Sequence, residues 1–425
     1  MVITVLFYTF VVAAVVQLGY YISFTSLLFH KTSTKSFDEF IPVSVIVYAK
    51  NNAQHLTRLI PLLQEQEYKN YELIFINNAS NDETLAVMKK FQDNDSRIKI
   101  VNVKNNEAFW GNRKYALTLG IKSAKHEQLL FIDADCLPSS KKWIKEMTVH
   151  FSESKSIVLG YGAYQSKRNS FLNILIRFDK LLSTIQSFSY TKLGSSYVAD
   201  GKNLAYKKSE FYSVNGFINH IKIESGHHDL FIRDASTSSN TTIAVSPDSF
   251  IITKTPNTLK KWFTHKKNQL NIILHYNFKH KFFLGLFSSS KLLFICLIPF
   301  LLCYRADYYT LGIILSYLTF SSSIIGFSAK KIQENSILYF LPFIELFLVL
   351  FQFVIFISYS ISKNTYWKIK YNFKIRFFPL VYLGSYPPQS LHNTTTISPN
   401  TSKTPPNTPK KQKQSFLKPV FRVMF

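Results

Sequence analysis

Polarity changes character twice along the chain. Residues 2–29 carry no charged side chain, a run long enough to cross the hydrocarbon core of a bilayer. From about residue 40 to residue 275 short apolar runs alternate with segments of helical spacing. "PVSVIVYAK", "YELIFI", "RIKIVNV" and "EQLLFIDADC" read as strands, whereas "NNAQHLTRLIPLLQEQ", "NDETLAVMKKFQ" and "GNRKYALTLGIKSA" place apolar residues three and four apart, as helices do. Strands that alternate with helices predict an α/β domain with a doubly wound, mainly parallel sheet. Ligands of such sheets bind beyond the carboxyl ends of the strands, where Asn51, Asn78, Asp133 and Asp135 would gather.

Beyond residue 281 the pattern turns apolar again, over about 282–303, 308–327 and 337–361. These runs predict C-terminal transmembrane helices, two or three in number. Lys291 lies inside the first, Pro342 and Glu345 inside the last, and Lys330 and Lys331 fall between the second and third. Counting all three as spans puts the basic C-terminal tail outside, against the positive-inside tendency, so one segment is expected to be interfacial or re-entrant. Residues 1–30 lack a basic leader and exceed a signal-peptide core, so they read as an uncleaved anchor. Lys31 and Lys35 follow the anchor, which places the domain after it in the cytosol.

Composition sharpens this picture. Hydrophobic residues make up 47% of the chain, and the net charge is +25. No acid follows Glu345, although basic residues continue to Arg422. The excess charge therefore sits beside the apolar segments and in the tail, which suits an anionic membrane surface and not a nucleic-acid groove. Residues 385–425 are rich in Pro, Ser, Thr, Asn and Lys and cannot bury a core, so a disordered basic tail is expected. The three cysteines form no even framework, consistent with a reduced, cytosol-facing domain.

The candidate chemistry begins at "FIDADC", where an oily strand ends in two acids. Alternate strand residues point the same way, so Asp133 and Asp135 could offer oxygens to one hard cation, Mg²⁺ or Mn²⁺. Asp is also a common turn residue, and Pro138 shows that a turn follows, so spacing alone leaves both readings open.

The order of "PVSVIVYAKNN", "YELIFINNASNDET", "FWGNRKYALTLGI", "LLFIDADC", "GKNLAYKKSEF", "SGHHDLFI" and "TLKKWFTHKKNQL" resembles family 2 glycosyltransferases, in particular membrane-attached bacterial enzymes of GT-A fold, over about residues 40–275. The resemblance implies that Asp133 and Asp135 hold a divalent ion on the diphosphate of a nucleotide-sugar donor. It implies an acceptor that is a lipid or a membrane-bound glycan, and a location in the cell inner membrane. Asn51 and Asn78 would face the nucleoside, with Asn52 and Asn78 standing where the family carries acids. Asp229 is the remaining acid of its motif and the implied general base toward the acceptor hydroxyl; Asp200 is a second candidate acid. His227 and His228 have three open readings: loop residues facing solvent, partners that orient Asp229 or ligate the metal (His228), or marks of lost catalysis in a non-catalytic relative. Lys114, after Arg113 at a helix start, and Lys266 with Lys267 are candidate diphosphate partners. Trp262 is expected at the bilayer interface.

Overall fold

The computed structural model describes residues 1–30, 41–104, 113–223 and 225–377. The expected tail, 385–425, lies outside them. Helix α1 (Val2–Leu28) comes first, and then the expected alternation: β1 (Val43–Ala49), α2 (Ala53–Gln64), β2 (Tyr71–Asn78), α3 (Thr84–Gln92), β3 (Ile98–Val103), α4 (Arg113–Ser123) and β4 (Gln128–Asp133). Shorter elements complete the domain: β5 (Cys136–Pro138), α5 (Trp143–Thr148), β6 (Ile157–Leu159), β7 (Gly162–Tyr164), the long α6 (Phe171–Lys192), β8 (Leu204–Lys207), α7 (Lys208–Ser213), α8 (His227–Ala235), β9 (Thr241–Ile243), β10 (Ile251–Thr253) and α9 (Leu259–Ile273).

The main sheet runs β3-β2-β1-β4-β8-β6-β9, with a second sheet ordered β5-β10-β7. β1, β2, β3 and β4 pair in parallel, and β8 enters antiparallel between β4 and β6. The period of two sorts the strand residues onto two faces. Val43, Val45 and Val47 of β1 pack with Leu56, Leu59, Leu63 and Trp143 in one buried cluster. Ile46 joins Leu117, Ile121, Ile176 and Phe178 in the other. That second cluster continues into the apolar helices, through Phe10, Tyr21, Phe294 and Ile344, so domain and helices share one core.

Among the described residues, four helices are long and apolar enough to span a membrane: α1, α10 (Phe278–Tyr304), α11 (Tyr308–Lys331) and residues Leu341–Ile361 of α12 (Leu341–Phe377). All three C-terminal segments qualify by length and composition. Met1–Phe356 form one compact unit and Ile357–Phe425 a second, of which only the end of α12 is described.

The charges inside the apolar segments explain themselves by pairing. Lys291 Nζ meets Glu345 Oε1 at 2.6 Å, and the same carboxylate accepts from Tyr21 (2.9 Å) and Tyr317 (3.1 Å). All four side chains are buried. An unpaired charge in hydrocarbon is costly, and a paired one ties helices together. Here one residue from each of α1, α10, α11 and α12 meets at the same point.

Candidate active site

The carboxyl ends of β1, β2 and β4 gather the expected residues, but with different partners than spacing predicts. β4 stops at Asp133, and Ala134 and Asp135 turn away before β5. The two acids are therefore not presented by a strand's period of two. Asp133 pairs with Arg113 Nη2, and Asp135 pairs with Lys202 Nζ at 2.8 Å. The Arg113 guanidinium also lies 4.2 Å from the centre of the Tyr48 ring. Burial pushes the Asp135 carboxyl up, but Lys202 and Arg113 outweigh burial and hold it below the usual carboxylate range. Asp135 is thus ionised, with 37% of its side chain exposed at the rim.

Asn78 sits one strand away. Its Nδ2 donates to the Tyr48 hydroxyl at 2.8 Å, and its Oδ1 is buried with no hydrogen-bond partner among the described residues. A buried acceptor with no donor is costly. Asn51 plays a different part. In the left-handed region at φ 54°, it gives its own N–H to Ser80 Oγ (3.0 Å) and accepts from the Asn81 N–H through its side chain (2.9 Å). It joins the loop after β1 to the loop after β2, and its side-chain oxygen is already taken.

Two of the expected donor contacts are corrected by burial. Lys114 points into the domain, not into the cleft. It is 1% exposed and gives its ammonium to the carbonyls of His220 (2.6 Å) and Ile223, where burial lowers its pKa to about 8. The neighbouring Arg113 takes the cleft position. Lys266 pairs with Asp179 at 2.9 Å, fastening α9 to α6. Trp262, expected at the bilayer interface, is buried and stacks on Phe351 at 4.2 Å.

Asp229 lies in the first turn of helix α8. Its Oδ2 accepts from the Tyr276 hydroxyl at 3.4 Å. Burial pushes its carboxyl up to about 7, against smaller opposing effects from the Ala199 amide, Tyr276 and Lys180; nearby Asp200 adds to the rise. His228 precedes it and is buried. The imidazole lies edge-on to Phe131 at 5.5 Å, and a Cβ on Gly201 would overlap it. Burial pulls its pKa down to about 3, so the ring is neutral. His228 does not converge with Asp133 and Asp135: no group of three or more His, Cys, Asp or Glu is poised around a metal position among the described residues. Its readings as a solvent-facing residue and as a metal ligand both give way to packing. The neighbouring His227 ring lies 4.4 Å from it, and burial pulls the His227 pKa well down.

The segment Ala199–Lys202 joins the two halves of the site. Ala199 gives its amide to Asp229, Asp200 pairs with Lys180 at 2.6 Å, Gly201 makes room for His228, and Lys202 reaches Asp135. Lys202 is a cleft residue that residue order does not single out, although "GKNLAYKK" contains it. Charge at that position is visible, but its direction is not. On the opposite rim His55 approaches Lys254 Nζ at 3.1 Å.

Residues 44–217 match the family model described as Glycosyl transferase family 2. The chain carries a family 2 glycosyltransferase domain. An uncharacterized glycosyltransferase of Haemophilus influenzae is 32% identical over 122 residues, covering 29% of this chain and 36% of its own length. The UDP-Glc:alpha-D-GlcNAc-diphosphoundecaprenol beta-1,3-glucosyltransferase WfaP of Escherichia coli is 26% identical over 127 residues, or 30% of this chain and 47% of WfaP. The chain thus spans less than half the length of these two relatives. The mannosyltransferase PcManGT of Pyrobaculum calidifontis, solved with GDP-Man and Mn²⁺, covers 83% of this chain and 98% of its own at a TM-score of 0.51 and 12% identity. That likeness establishes that the glycosyltransferase domain has the GT-A-like fold.

Proposed function

We propose that the protein is a membrane-attached, inverting glycosyltransferase that moves a sugar from a nucleoside-diphosphate sugar to a hydroxyl of a lipid or membrane-bound glycan. The observation that carries this reading is the Ala199–Lys202 segment, which connects an ionised carboxylate at the strand ends to an acid whose pKa is pushed up to about 7. A general base works best when its pKa lies near the operating pH. Asp229 takes the proton of the acceptor hydroxyl as it attacks the anomeric carbon, while the bond to the diphosphate breaks on the opposite face. Tyr276 and the Ala199 amide hold the carboxylate in place. The Asn78 Oδ1 accepts from a nucleobase N–H, and Arg113 and Lys202 supply positive charge beside the leaving diphosphate.

The donor set suits a divalent ion. Asp133 and Asp135 offer only oxygen, and Mg²⁺ or Mn²⁺ takes one or two carboxylates and fills its other positions with water and substrate phosphate. Bound there, the ion would neutralise charge that grows on the leaving diphosphate. Mn²⁺ and GDP-Man in PcManGT and the lipid-diphosphate acceptor in WfaP's name support the donor, metal and acceptor classes.

The catalytic domain lies on the cytosolic side of the cell inner membrane in this reading. Lys331 donates to the carbonyls of Leu28 (2.8 Å) and His30 (2.6 Å), and Lys279 and Lys281 begin α10. The basic helix ends thus gather on the side where the domain joins α1 and α10, as the positive-inside tendency requires. The deciding experiment incubates purified protein with Mn²⁺, UDP- or GDP-sugars and a bacterial membrane extract, and measures nucleoside diphosphate released. Extract-dependent release with one donor is expected. Donor binding without release under any combination would refute the catalytic reading.

A further inference from the structure

A pocket of about 430 Å³ opens between α1, α6 and the start of α10, lined in part by Gly19, Tyr20, Tyr190, Phe283 and Leu286. Its volume falls in the range of roughly 300–1,000 Å³ usual for ligand sites. Two of the three helices are membrane-span candidates, so its apolar wall is continuous with the surface that faces lipid. The α1 side is open at Gly19, where a Cβ built on the backbone meets nothing within 4 Å.

One end of the pocket is polar. Lys279 is exposed there, and Ser195 and His280 also line it. His280 is 7% exposed; its Nε2 lies 3.0 Å from Ser195 Oγ, while its Nδ1 is buried with no hydrogen-bond partner among the described residues. An unsatisfied ring nitrogen beside an ammonium and a hydroxyl, at the mouth of a hydrocarbon-lined pocket, suits an anionic oxygen at the end of an apolar chain. The same end leads to the reaction centre. The His280 and Tyr190 rings both lie 5.4 Å from Tyr197, Tyr197 lies 5.7 Å from Tyr276, and Tyr276 donates to Asp229.

We propose that this pocket binds the lipid end of the acceptor: the long chain lies between α1 and α10, its phosphate meets Lys279, His280 and Ser195, and the sugar beyond that phosphate carries the hydroxyl that Asp229 deprotonates. The proposal deepens the lipid-acceptor reading above and rests on it. A phosphate held at His280 leaves the polar group beyond it on the Tyr197–Tyr276 side, toward Asp229. Chain and phosphate together would also select membrane lipids over soluble glycans by proximity.

The test uses full-length protein in nanodiscs and a photoactivatable long-chain alkyl phosphate with a diazirine in its chain, beside the matching alcohol. Mass spectrometry should find crosslinks on the peptides around Gly19–Ser23 and Phe283–Leu286, with the phosphate preferred about tenfold, the value of one charge-assisted hydrogen bond. Gly19→Leu fills the pocket and removes a helix glycine, so it should fold and lose most crosslinking; Ser23→Phe is a second pocket-filling variant. Lys279→Gln with His280→Gln should keep the alcohol crosslink and erase the phosphate preference. Crosslinks spread evenly around the helices, equal labelling in Gly19→Leu and Ser23→Phe, or full competition by excess phosphatidylglycerol would each overturn the proposal. Donor calorimetry on the same samples reads the transferase assignment separately, so the two can fail independently.

Discussion

Replacing Asp229 by asparagine keeps the shape of the side chain and its contact with Tyr276 but removes the proton acceptor. With the carboxyl pushed up to about 7, the sign of the pH effect follows: the base works only when deprotonated, so turnover falls as pH drops through that value. One unit below the pKa about a tenth of the carboxylates are ionised, and one unit above it about nine-tenths are, so turnover should fall roughly tenfold from about pH 8 to about pH 6. The asparagine variant should lose about 10²–10⁴-fold in turnover and lose the acid limb with it. Donor affinity should hardly move, because the base acts on the acceptor. Tyr276→Phe gives a finer check. It removes a long hydrogen bond, 3.4 Å, that stabilises the charged form, so the acid limb should shift to higher pH while turnover at high pH persists. The assay is initial-rate release of nucleoside diphosphate across pH at saturating donor. Equal turnover in Asp229→Asn and the parent, or an acid limb that survives in that variant, would refute the assignment.

Other outcomes follow from the same contacts. Asp135→Asn removes a charge that Lys202 holds ionised, and should abolish Mn²⁺-dependent donor binding by calorimetry while leaving the thermal unfolding profile of the protein intact. Glu345→Gln leaves Lys291 without its counter-charge among buried tyrosines; breaking a buried pair costs on the order of 3–5 kcal/mol, so the detergent-solubilised variant should unfold at markedly lower temperature than one in which Lys291→Met accompanies it. A Cβ at Gly201 overlaps the His228 ring, and Gly201→Ala should destabilise by about 1–3 kcal/mol in denaturant unfolding of the same preparation. A cysteine at the exposed position Lys89 should resist an impermeant thiol reagent in intact cells and react after lysis; labelling from outside would reverse the topology.

Several features were legible from residue order alone. Strand-and-helix alternation specified a mainly parallel sheet, because period two and period 3.6 cannot both fit one element. It also placed Asn78, Asp133 and Asp135 at the carboxyl ends of that sheet. Long apolar runs identified the apolar helices, since hydrocarbon imposes a length and a composition. What the sequence could not specify is which charge meets which. Lys291 and Glu345 look like faults in their segments until four helices bring them within 2.6 Å. Lys114 and Arg113 are neighbours of similar charge, yet helix α4 sends one to buried carbonyls and the other to Asp133. Asp229 has its raised pKa only because distant parts of the chain fold over it and bury it beside Asp200, against the smaller opposing pull of Ala199, Tyr276 and Lys180. Polarity patterns are local and repeat with the backbone, so they survive in one dimension. Pairing and desolvation depend on through-space distance, and only the folded chain decides them.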